Sequence, residues 1–375
     1  MKSISRREFL RSATRTVAFW GAFASLCFGF FCTSVWGVEV ASKRYLIEID
    51  GVKTFLPYES SHNLSSKNNS ITRLIYSIHS SSYSAKSYFD RASALVDKVP
   101  GQKNRTLIIA PHILDKNCLD RPENMNILYW EIPAFRGTSR AFFKDKRVTV
   151  SAFEVTDIIL KDVAAGGNFP NLKTIIILGH SAGGQMTNRY AATGVFESKI
   201  ANTMGIEVRY IVMAPSSYVY FNNERVIKGT INQFSVPKKP PKKYNCWHAG
   251  LEQMYAYHKK FKITPEFVRK QYPSKKILYL VGSKDCNEND PSMGRGEIAM
   301  LQGKHRLERG RIYYNYLVHF FGEQIKQTQD FRIVKGAGHS GKSLMLSPKA
   351  IRFTFSQNSK ERQNGSSVLI RNGNK

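Results

Sequence analysis

The chain has 375 residues, 42% of them hydrophobic and 22% charged, which describes a soluble globular protein with one large core, or one domain and an insertion. Its formal net charge of +28 favours anionic surfaces such as lipid head groups or cell-envelope polymers, although a lysine-rich solvated surface would give the same charge. No zinc finger, basic coiled coil or interleaving of aromatic and basic residues is present, so no nucleic-acid partner is expected.

The first 37 residues resemble a bacterial signal peptide for export. Residues 5–11 (SRREFLR) are similar to the twin-arginine signal, and the apolar segment 17–36 follows them. Residues 35–37 (VWG) suit cleavage, which would leave a net charge of +24 because residues 1–37 carry five basic side chains and one acidic one. The resemblance implies the twin-arginine export machinery as a partner and a periplasmic or secreted protein. The alternative is an uncleaved inner-membrane anchor formed by residues 17–36, since about 20 apolar residues span a bilayer.

From Val38 onward, short apolar runs alternate with stretches of helical periodicity. This alternation predicts an α/β protein with a mostly parallel central sheet and helices on both faces. The predicted strands are residues 45–49, 74–78, 106–110, 174–178, 208–214, 277–281 and 331–334. The predicted helices are residues 84–99, 155–163, 185–192 and 311–325. The polar stretch 63–70 is predicted to be a loop.

Residues 218–272 interrupt this alternation and are predicted to form an insertion. They include 237–243 (PKKPPKK), a stiff, basic and extended piece that several aromatic side chains follow. We interpret the insertion as a cap over the sheet edge that lines a substrate cleft, and the alternative is a surface excursion with a small core of its own. The chain is thus predicted to form one domain over residues 38–355, with a disordered polar tail over residues 356–375.

A sharp turn with a serine at its tip follows the strand predicted at 174–178. Residues 179–183 (GHSAG) match the pattern G-x-S-x-G, in which a strained turn between a strand and a helix lifts the serine hydroxyl clear of the backbone. The flanking glycines let the strand and the helix approach each other without a side-chain clash. Ser181 is therefore the candidate nucleophile.

A serine nucleophile needs a base that takes its proton and an acid that orients this base. Asp285 follows the strand predicted at 277–281, and His339 follows the strand predicted at 331–334. The chain order of nucleophile, acid and base is the order expected after a G-x-S-x-G turn. All three residues are expected at the carboxyl ends of strands, which is the edge where open α/β sheets bind ligands.

Other side chains compete for the roles of acid and base. Asp290 lies in the same loop as Asp285, but farther from the preceding strand. His180 adjoins the serine and is predicted to pack inside the turn. His112 comes too early in the chain to be the base, but it could still line the site.

Two backbone N–H groups are needed to stabilise the oxyanion that forms during acyl transfer. One is expected from Ala182, the residue after the nucleophile. The other is expected from the loop after the strand predicted at 74–78, where Ser80 and Ser81 are both candidates for the oxyanion hole.

The cysteines do not define a further site. Without the signal peptide the chain keeps Cys118, Cys246 and Cys286, which allows one disulfide of undetermined pairing or three structural thiols. No C-x-x-C motif and no metal-ligand spacing is present, so the sequence implies neither a metal nor a cofactor.

Over residues 45–353 the chain resembles the α/β-hydrolase superfamily. The resemblance rests on the G-x-S-x-G turn at Ser181, on Gly-x-x-Asp ending at Asp285 and on Gly-x-Gly-His ending at His339. It implies the α/β-hydrolase fold with a cap-like insertion. It also implies a serine hydrolase that cleaves a small-molecule or polymeric carboxylic ester through an acyl-enzyme on Ser181.

Within this superfamily the chain is similar to exported bacterial hydrolases related to polyhydroxyalkanoate depolymerases and esterases. The similar segments are Ile78-His79 before a serine-rich loop, residues 110–112 (APH) and residues 302–310 (QGKHRLERG). The chemistry of residues 302–310 assigns them no role. We interpret Arg306 and Arg309 as residues on one face of a helix start that pair with acids.

A second hypothesis is a non-catalytic, basic protein that binds the cell envelope on a hydrolase scaffold. The net charge and the lysines of residues 238–243 motivate it, because a fold alone does not determine a function. The presence of a serine, an acid and a histidine in the expected order argues against it.

Overall fold

The computed structural model describes residues 39–119, 125–131 and 134–356. The export signal or anchor predicted for residues 1–37 and residues 357–375 of the predicted tail 356–375 lie outside the described residues. None of the helices in the described ranges combines the length and the apolar character that a membrane crossing requires.

The strands and helices of the described ranges follow in chain order. The strands are β1 (Lys43–Ile49), β2 (Val52–Ser60), β3 (Arg73–Ile78), β4 (Thr106–Pro111), β5 (Leu114–Asp115), β6 (Tyr129–Trp130), β7 (Arg140–Phe143), β8 (Lys146–Ser151), β9 (Thr174–His180), β10 (Glu207–Met213), β11 (Arg225–Val226), β12 (Phe234–Ser235), β13 (Lys276–Gly282) and β14 (Gln329–Val334). The helices are α1 (Ala85–Asp97), α2 (Ala152–Ala165), α3 (Ala182–Thr193), α4 (Ala256–Lys260), α5 (Pro265–Gln271), α6 (Glu297–Met300), α7 (Arg306–Phe321), α8 (Gly341–Met345) and α9 (Pro348–Phe355).

Eight strands form one sheet in the order β1-β2-β4-β3-β9-β10-β13-β14. β1 and β2 form an antiparallel hairpin, and β2 pairs antiparallel with β4. All remaining neighbours pair in parallel, as predicted. β9 and β10 lie inside the parallel part, and their side chains are almost all buried, which explains their continuous apolar runs.

Helices cover both faces of this sheet. On one face, α1, α8 and α9 pack on side chains of the parallel strands in a single apolar cluster that includes Ile75, Ile176, Ile211 and Leu278. Successive side chains of a strand point to opposite faces, so Tyr76 points away from this cluster. Its hydroxyl lies 3.4 Å from Thr156 Oγ1 of α2, which places α2 on the other face.

The predicted strands all occur within two residues of their predicted bounds, but the helix predicted at 311–325 is shifted. α7 begins at Arg306 because His305 caps it, with Nδ1 accepting a hydrogen bond from the Glu308 N–H at 3.2 Å. It ends at Phe321 because Gly322 takes a φ of 84°, which ends a helix at little cost for glycine.

Two further parts of the fold have no counterpart in the predicted elements. β2 completes a hairpin with β1, and β5 to β8 form a second, four-stranded sheet between β4 and α2. The insertion over residues 218–272 contains β11, β12, α4 and α5. It is tied to the core, because the Tyr257 hydroxyl donates a hydrogen bond to Asp157 Oδ2 of α2 at 2.6 Å. Its role as a cap stays a prediction.

Four histidines of the described ranges are buried, namely His79, His112, His180 and His258. Burial lowers the pKa of three of these imidazoles, and that of the partly buried His248, to about 3 or about 4. It also lowers the pKa of His180 well below its ordinary value. Two carboxyl groups are shifted in the opposite direction, since burial raises the pKa of Asp115 to about 6 and that of Asp157 to about 7.

These shifts predict a steep acid dependence of stability. Unfolded histidines take up protons below about pH 6.5, whereas the buried ones stay neutral, so stability is lost as the pH falls below this value. The carboxyl groups of Asp115 and Asp157 oppose this loss, because they bind protons first in the folded state. The unfolded state then binds about three more protons than the folded state, so the free energy of unfolding is expected to fall by roughly 4 kcal/mol per pH unit between about pH 6.5 and about pH 5.

Urea unfolding over this pH range measures the slope. His258→Gln removes one buried histidine and is expected to reduce the slope by about 1.4 kcal/mol per pH unit. His319→Gln is the matched control, because this side chain is 43% exposed, and it is expected to leave the slope unchanged. A flat profile for the unaltered protein would contradict the prediction.

Candidate active site

Ser181 lies at the tip of the turn that joins β9 to α3. Its backbone has φ 55° and ψ −114°, a combination that is strained for a residue with a side chain. Its N–H donates to the carbonyl oxygen of Met213 at 2.9 Å, which fixes the turn against β10. A Cβ atom at Gly183 would lie 2.5 Å from the carbonyl oxygens of Ile78 and His79, so glycine permits the helix to approach the end of β3 this closely.

The strain at Ser181 has a measurable cost. Ser181→Gly is expected to be about 1 kcal/mol more stable than Ser181→Ala, the difference between the relieved strain and the extra chain entropy that glycine loses on folding. Both variants lack the hydroxyl, so the pair isolates the contribution of the backbone. Urea unfolding of the two proteins compares them directly, and an alanine variant as stable as the glycine variant would show an unstrained turn.

Asp285 and His339 are in direct contact, as the chain order predicts. They follow β13 and β14, and Asp285 Oδ2 lies 2.8 Å from His339 Nδ1. A carboxylate only accepts hydrogen bonds, so Nδ1 carries the proton and Nε2 is left to accept one. The Asp285 side chain is 4% exposed and that of His339 is 20% exposed, so the imidazole, unlike the carboxylate, is open to solvent.

His180, the residue before Ser181, packs against His339 of this pair. Its ring centroid lies 4.5 Å from that of His339, and its Nδ1 lies 2.9 Å from the Tyr88 hydroxyl. Its lowered pKa keeps it neutral, so it adds no positive charge next to His339. Its packing position inside the turn agrees with the prediction. Ser181 Oγ itself makes no hydrogen bond with any residue that the structure describes, which is common before a substrate is bound.

A buried arginine contacts Asp285, and the sequence predicted that it pairs with acids but not that Asp285 is one of them. Arg306 is 0% exposed, and its Nη1 lies 2.7 Å from Asp290 Oδ2 and 3.5 Å from Asp285 Oδ1. Its Nη2 donates to Ser292 Oγ at 2.9 Å. Asp290 therefore pairs with Arg306, whereas Asp285 is the carboxylate that contacts His339. An arginine at the first residue of a helix gave no signal that it would reach back to this loop.

The rest of the 302–310 segment holds a neighbouring loop. The Gln302 side chain accepts from the backbone N–H of Tyr218 at 2.8 Å and donates to its carbonyl oxygen at 3.0 Å. Arg309 donates to the carbonyl oxygens of Ser216 and Gly294. The expectation that Arg306 and Arg309 both pair with acids is thus correct for Arg306 and wrong for Arg309. The Arg309 guanidinium binds backbone oxygens instead, because the loops that contain Ser216 and Gly294 meet at the start of α7.

The loop after β3 lies beside the turn that contains Ser181, because Gly183 lets α3 approach the end of β3 closely. His79 accepts the Ile113 N–H on Nε2 at 3.0 Å, so its Nδ1 donates to the Ser80 carbonyl oxygen at 2.8 Å. Burial raises the pKa of the Tyr88 hydroxyl, and hydrogen bonds from Ser80, side chain and backbone, partly oppose this rise. The N–H of Ser81 takes part in no hydrogen bond among the described residues, and Ser81 is exposed.

His112 lies behind this loop and not in the turn. Its ring centroid is 5.8 Å from that of His79, and its Nδ1 accepts the Ala41 N–H at 3.2 Å. It is fully buried, so it supports His79 instead of facing a substrate.

The cysteines and acids of the described ranges form no metal centre. No group of three or more His, Cys, Asp and Glu side chains there has an arrangement that would hold a metal ion. Cys118 is buried, while Cys246 and the exposed Cys286 are free thiols.

Comparisons with known proteins find similar structures but no similar sequence. No family model matches the chain, and no curated protein matches it. It is similar to the structure of poly(aspartic acid) hydrolase-1 from Sphingomonas sp. KT-1, with 17% identity, a TM-score of 0.55 and coverage of 85% of this chain and 100% of that chain. It is also similar to LpqC, a poly(3-hydroxybutyrate) depolymerase from Bordetella parapertussis, with 16% identity, a TM-score of 0.52 and coverage of 84% and 89%.

The chain has the α/β-hydrolase fold. The predicted fold class is confirmed, and at this level of identity the likeness extends to the fold alone. Within the α/β-hydrolase fold, Ser181, Asp285 and His339 lie at the carboxyl ends of β9, β13 and β14, on one edge of the sheet. Their roles stay a prediction from the sequence and the geometry.

Proposed function

We propose that this protein is a serine hydrolase that cleaves a carboxylic ester through an acyl-enzyme on Ser181. The observation that carries the proposal is the 2.8 Å contact between Asp285 Oδ2 and His339 Nδ1, at the sheet edge that also presents the strained turn of Ser181. An imidazole oriented by a carboxylate, at the sheet edge where a strained turn presents a serine, is the arrangement that activates a hydroxyl nucleophile. The names of both similar proteins, a hydrolase and a depolymerase, support the same class of reaction.

The reaction divides into acylation and deacylation. Ser181 Oγ attacks the carbonyl carbon of the ester, and His339 Nε2 takes the hydroxyl proton while Asp285 stabilises the imidazolium. The tetrahedral intermediate collapses as the C–O bond breaks, and His339 returns the proton to the leaving alcohol oxygen. In deacylation, His339 takes a proton from water, whose oxygen attacks the acyl carbon. His339 then gives this proton to Ser181 Oγ as the acyl C–O bond breaks, which releases the carboxylic acid and restores the serine hydroxyl.

Two backbone N–H groups hold the negative charge of the intermediate. The N–H of Ala182 follows the nucleophile and is the first donor. For the second donor, Ser80 and Ser81 are both candidates, because the backbone N–H of neither residue donates to a backbone carbonyl oxygen among the described residues.

We extend the proposal to the type of substrate and to the compartment in which it is cleaved. The names of both similar proteins refer to polymers, which favours a polymeric ester over a small one. Amide cleavage is a second candidate, since the same serine chemistry cleaves amides and one of these names refers to poly(aspartic acid). The predicted export signal would deliver this activity to the periplasm or outside the cell.

A fluorophosphonate probe tests the proposal without knowledge of the substrate. The probe phosphonylates an activated serine with loss of fluoride, and the modified peptide, found by mass spectrometry, is expected to contain Ser181. His339→Gln is expected to abolish labelling, because the hydroxyl then has no base. His319→Gln changes a histidine remote from the site and is expected to label normally. If the probe labels Ser181 but the protein cleaves no ester, an amide is the favoured substrate.

The competing hypothesis is a binding protein without turnover. It predicts that the probe does not label Ser181 and that no ester or amide is cleaved by the folded protein. The contact between Asp285 and His339 supports hydrolysis over this hypothesis, because binding an anionic envelope needs no oriented imidazole.

A further inference from the structure

A strongly basic hairpin lies on the surface of the insertion. We define the lysine hairpin as residues 225–243, which contain β11, β12 and the following proline-rich piece. It has no aspartate or glutamate, and it carries the exposed residues Lys228, Lys238, Lys239, Lys242 and Lys243. None of these five ammonium groups forms a salt bridge with any residue that the structure describes. Unpaired charge of one sign concentrated in one hairpin attracts an anionic surface.

The same hairpin exposes large apolar side chains. Ile227 is 40% exposed, Ile231 is 44% exposed and Val236 is 51% exposed. Apolar side chains that alternate with lysines are typical of segments that lie in a bilayer interface. There the apolar groups enter the boundary between head groups and acyl chains, while ammonium groups bind phosphates. A soluble polyanion would use the lysines but leave the apolar side chains in water.

The hairpin is held firmly at its base. Arg225 is 1% exposed, and its guanidinium donates to the carbonyl oxygens of Tyr244 and Ala249 at 3.1 Å and 3.2 Å. On the other strand, the ring centroid of Phe234 lies 5.0 Å from that of His319 on α7. The lysines and apolar side chains are therefore presented by an ordered element, so little conformational entropy is lost when a surface binds.

The hairpin is separate from the candidate active site. It contacts the second half of α7, where Asn315 donates to the carbonyl oxygen of Ile231 at 2.9 Å. Arg306, which supports Asp285, is the first residue of the same helix. The rise along an α-helix places these two positions about 14 Å apart. Substitutions in the hairpin therefore leave the candidate catalytic residues untouched.

We propose that the lysine hairpin docks this protein on a bilayer that contains anionic lipids. The five lysines bind lipid phosphates, and Ile227, Ile231 and Val236 enter the interface. The docking does not depend on the proposed hydrolysis, so the two can fail independently.

Vesicle partitioning of the full chain tests the proposal. The readout is the ratio of the partition coefficients on vesicles with about 30% phosphatidylglycerol and on vesicles of pure phosphatidylcholine, because anionic lipid is what the lysines recognise. Residues 17–36 are common to all variants and do not affect the comparison. Changing the five hairpin lysines to glutamine is expected to lower this ratio on the order of 100-fold.

The matched control removes the same charge from other exposed positions. It changes Lys53, Lys67, Lys98, Lys103 and Lys349 to glutamine. It is expected to lower the ratio less than about threefold, because these lysines lie outside the hairpin. If the control lowers the ratio as much as the hairpin variant does, the net charge of the whole protein binds the vesicles and the proposal is overturned.

A second variant distinguishes binding to a bilayer from binding to a soluble polyanion. Ile227→Ser, Ile231→Ser and Val236→Ser together are expected to weaken binding to anionic vesicles about tenfold at high salt, where charge is screened and apolar contact remains. Binding to soluble polyphosphate is expected to be unaffected. Unchanged vesicle binding of this variant, with tight binding of polyphosphate, would identify a polyanion as the partner and overturn the proposal. Circular dichroism of each variant confirms that the exposed substitutions leave the fold intact.

Discussion

Replacing Ser181 with alanine is expected to lower kcat/KM for p-nitrophenyl esters at least about 10³-fold while the protein stays folded. Without Oγ no acyl-enzyme forms, and only binding and oxyanion stabilisation remain to assist direct attack by water. The turn itself tolerates the change, because alanine adopts the same backbone conformation as serine with the same strain. Initial rates of p-nitrophenolate release with short and medium acyl chains measure the loss.

Ser343→Ala is the matched control for this substitution. Ser343 is exposed on α8, shortly after His339 in the chain, and its hydroxyl contacts Ser340 Oγ at 3.1 Å. Its removal is expected to change kcat/KM less than about twofold. More than about a tenth of the activity left after Ser181→Ala would mean that another residue is the nucleophile.

Replacing Arg306 with glutamine is expected to lower the free energy of unfolding by about 3 kcal/mol, because it leaves the buried Asp285 and the partly exposed Asp290 without their cation. Arg306 is fully buried between Asp290 and Asp285, at 2.7 Å and 3.5 Å from their oxygens. Asp285 in turn holds His339. We therefore expect kcat to fall on the order of tenfold to a hundredfold, while KM changes little, because Arg306 acts through the acid and not on the substrate.

A double variant separates positioning of Asp285 from simple support of the fold. Adding Asp290→Asn to Arg306→Gln removes one unpaired carboxylate, so it is expected to recover part of the lost stability. It is not expected to recover kcat, since Asp285 still lacks its cation. Recovery of kcat and stability together would assign Arg306 a structural role only. Arg306→Lys keeps the charge without the two-pronged contact to Asp290 and Ser292, and is expected to be intermediate.

The sequence predicts the central sheet and the positions of the candidate residues because these features depend on local signals. A strand buried on both faces needs a continuous apolar run, which is visible at 174–178 and 277–281. The turn at Ser181 needs glycine at fixed positions, because a Cβ at Gly183 would meet the end of β3. The order of nucleophile, acid and base then follows from the order of the strands.

The features that the sequence did not predict depend on contacts between distant residues. Arg306 is a charged residue and is expected at the surface by type, yet the carboxylates of Asp285 and Asp290 make its burial favourable. The hairpin of β7 and β8 turns at Lys144 and Asp145, which have φ values of 47° and 58°. Such a turn ordinarily contains asparagine or glycine, so this one gives no sequence signal.

The position of β14 at the edge of the sheet decides when during synthesis the candidate site can assemble. The serine turn, β9 and β10 come from the middle of the chain, but His339 reaches them only after β14 has paired in parallel with β13. A nascent chain that ends before residue 329 contains Ser181 and Asp285 but not His339. An unfinished polypeptide therefore lacks one of the three proposed catalytic residues, and the hydrolytic capacity proposed for this protein would arise only when its synthesis is almost complete.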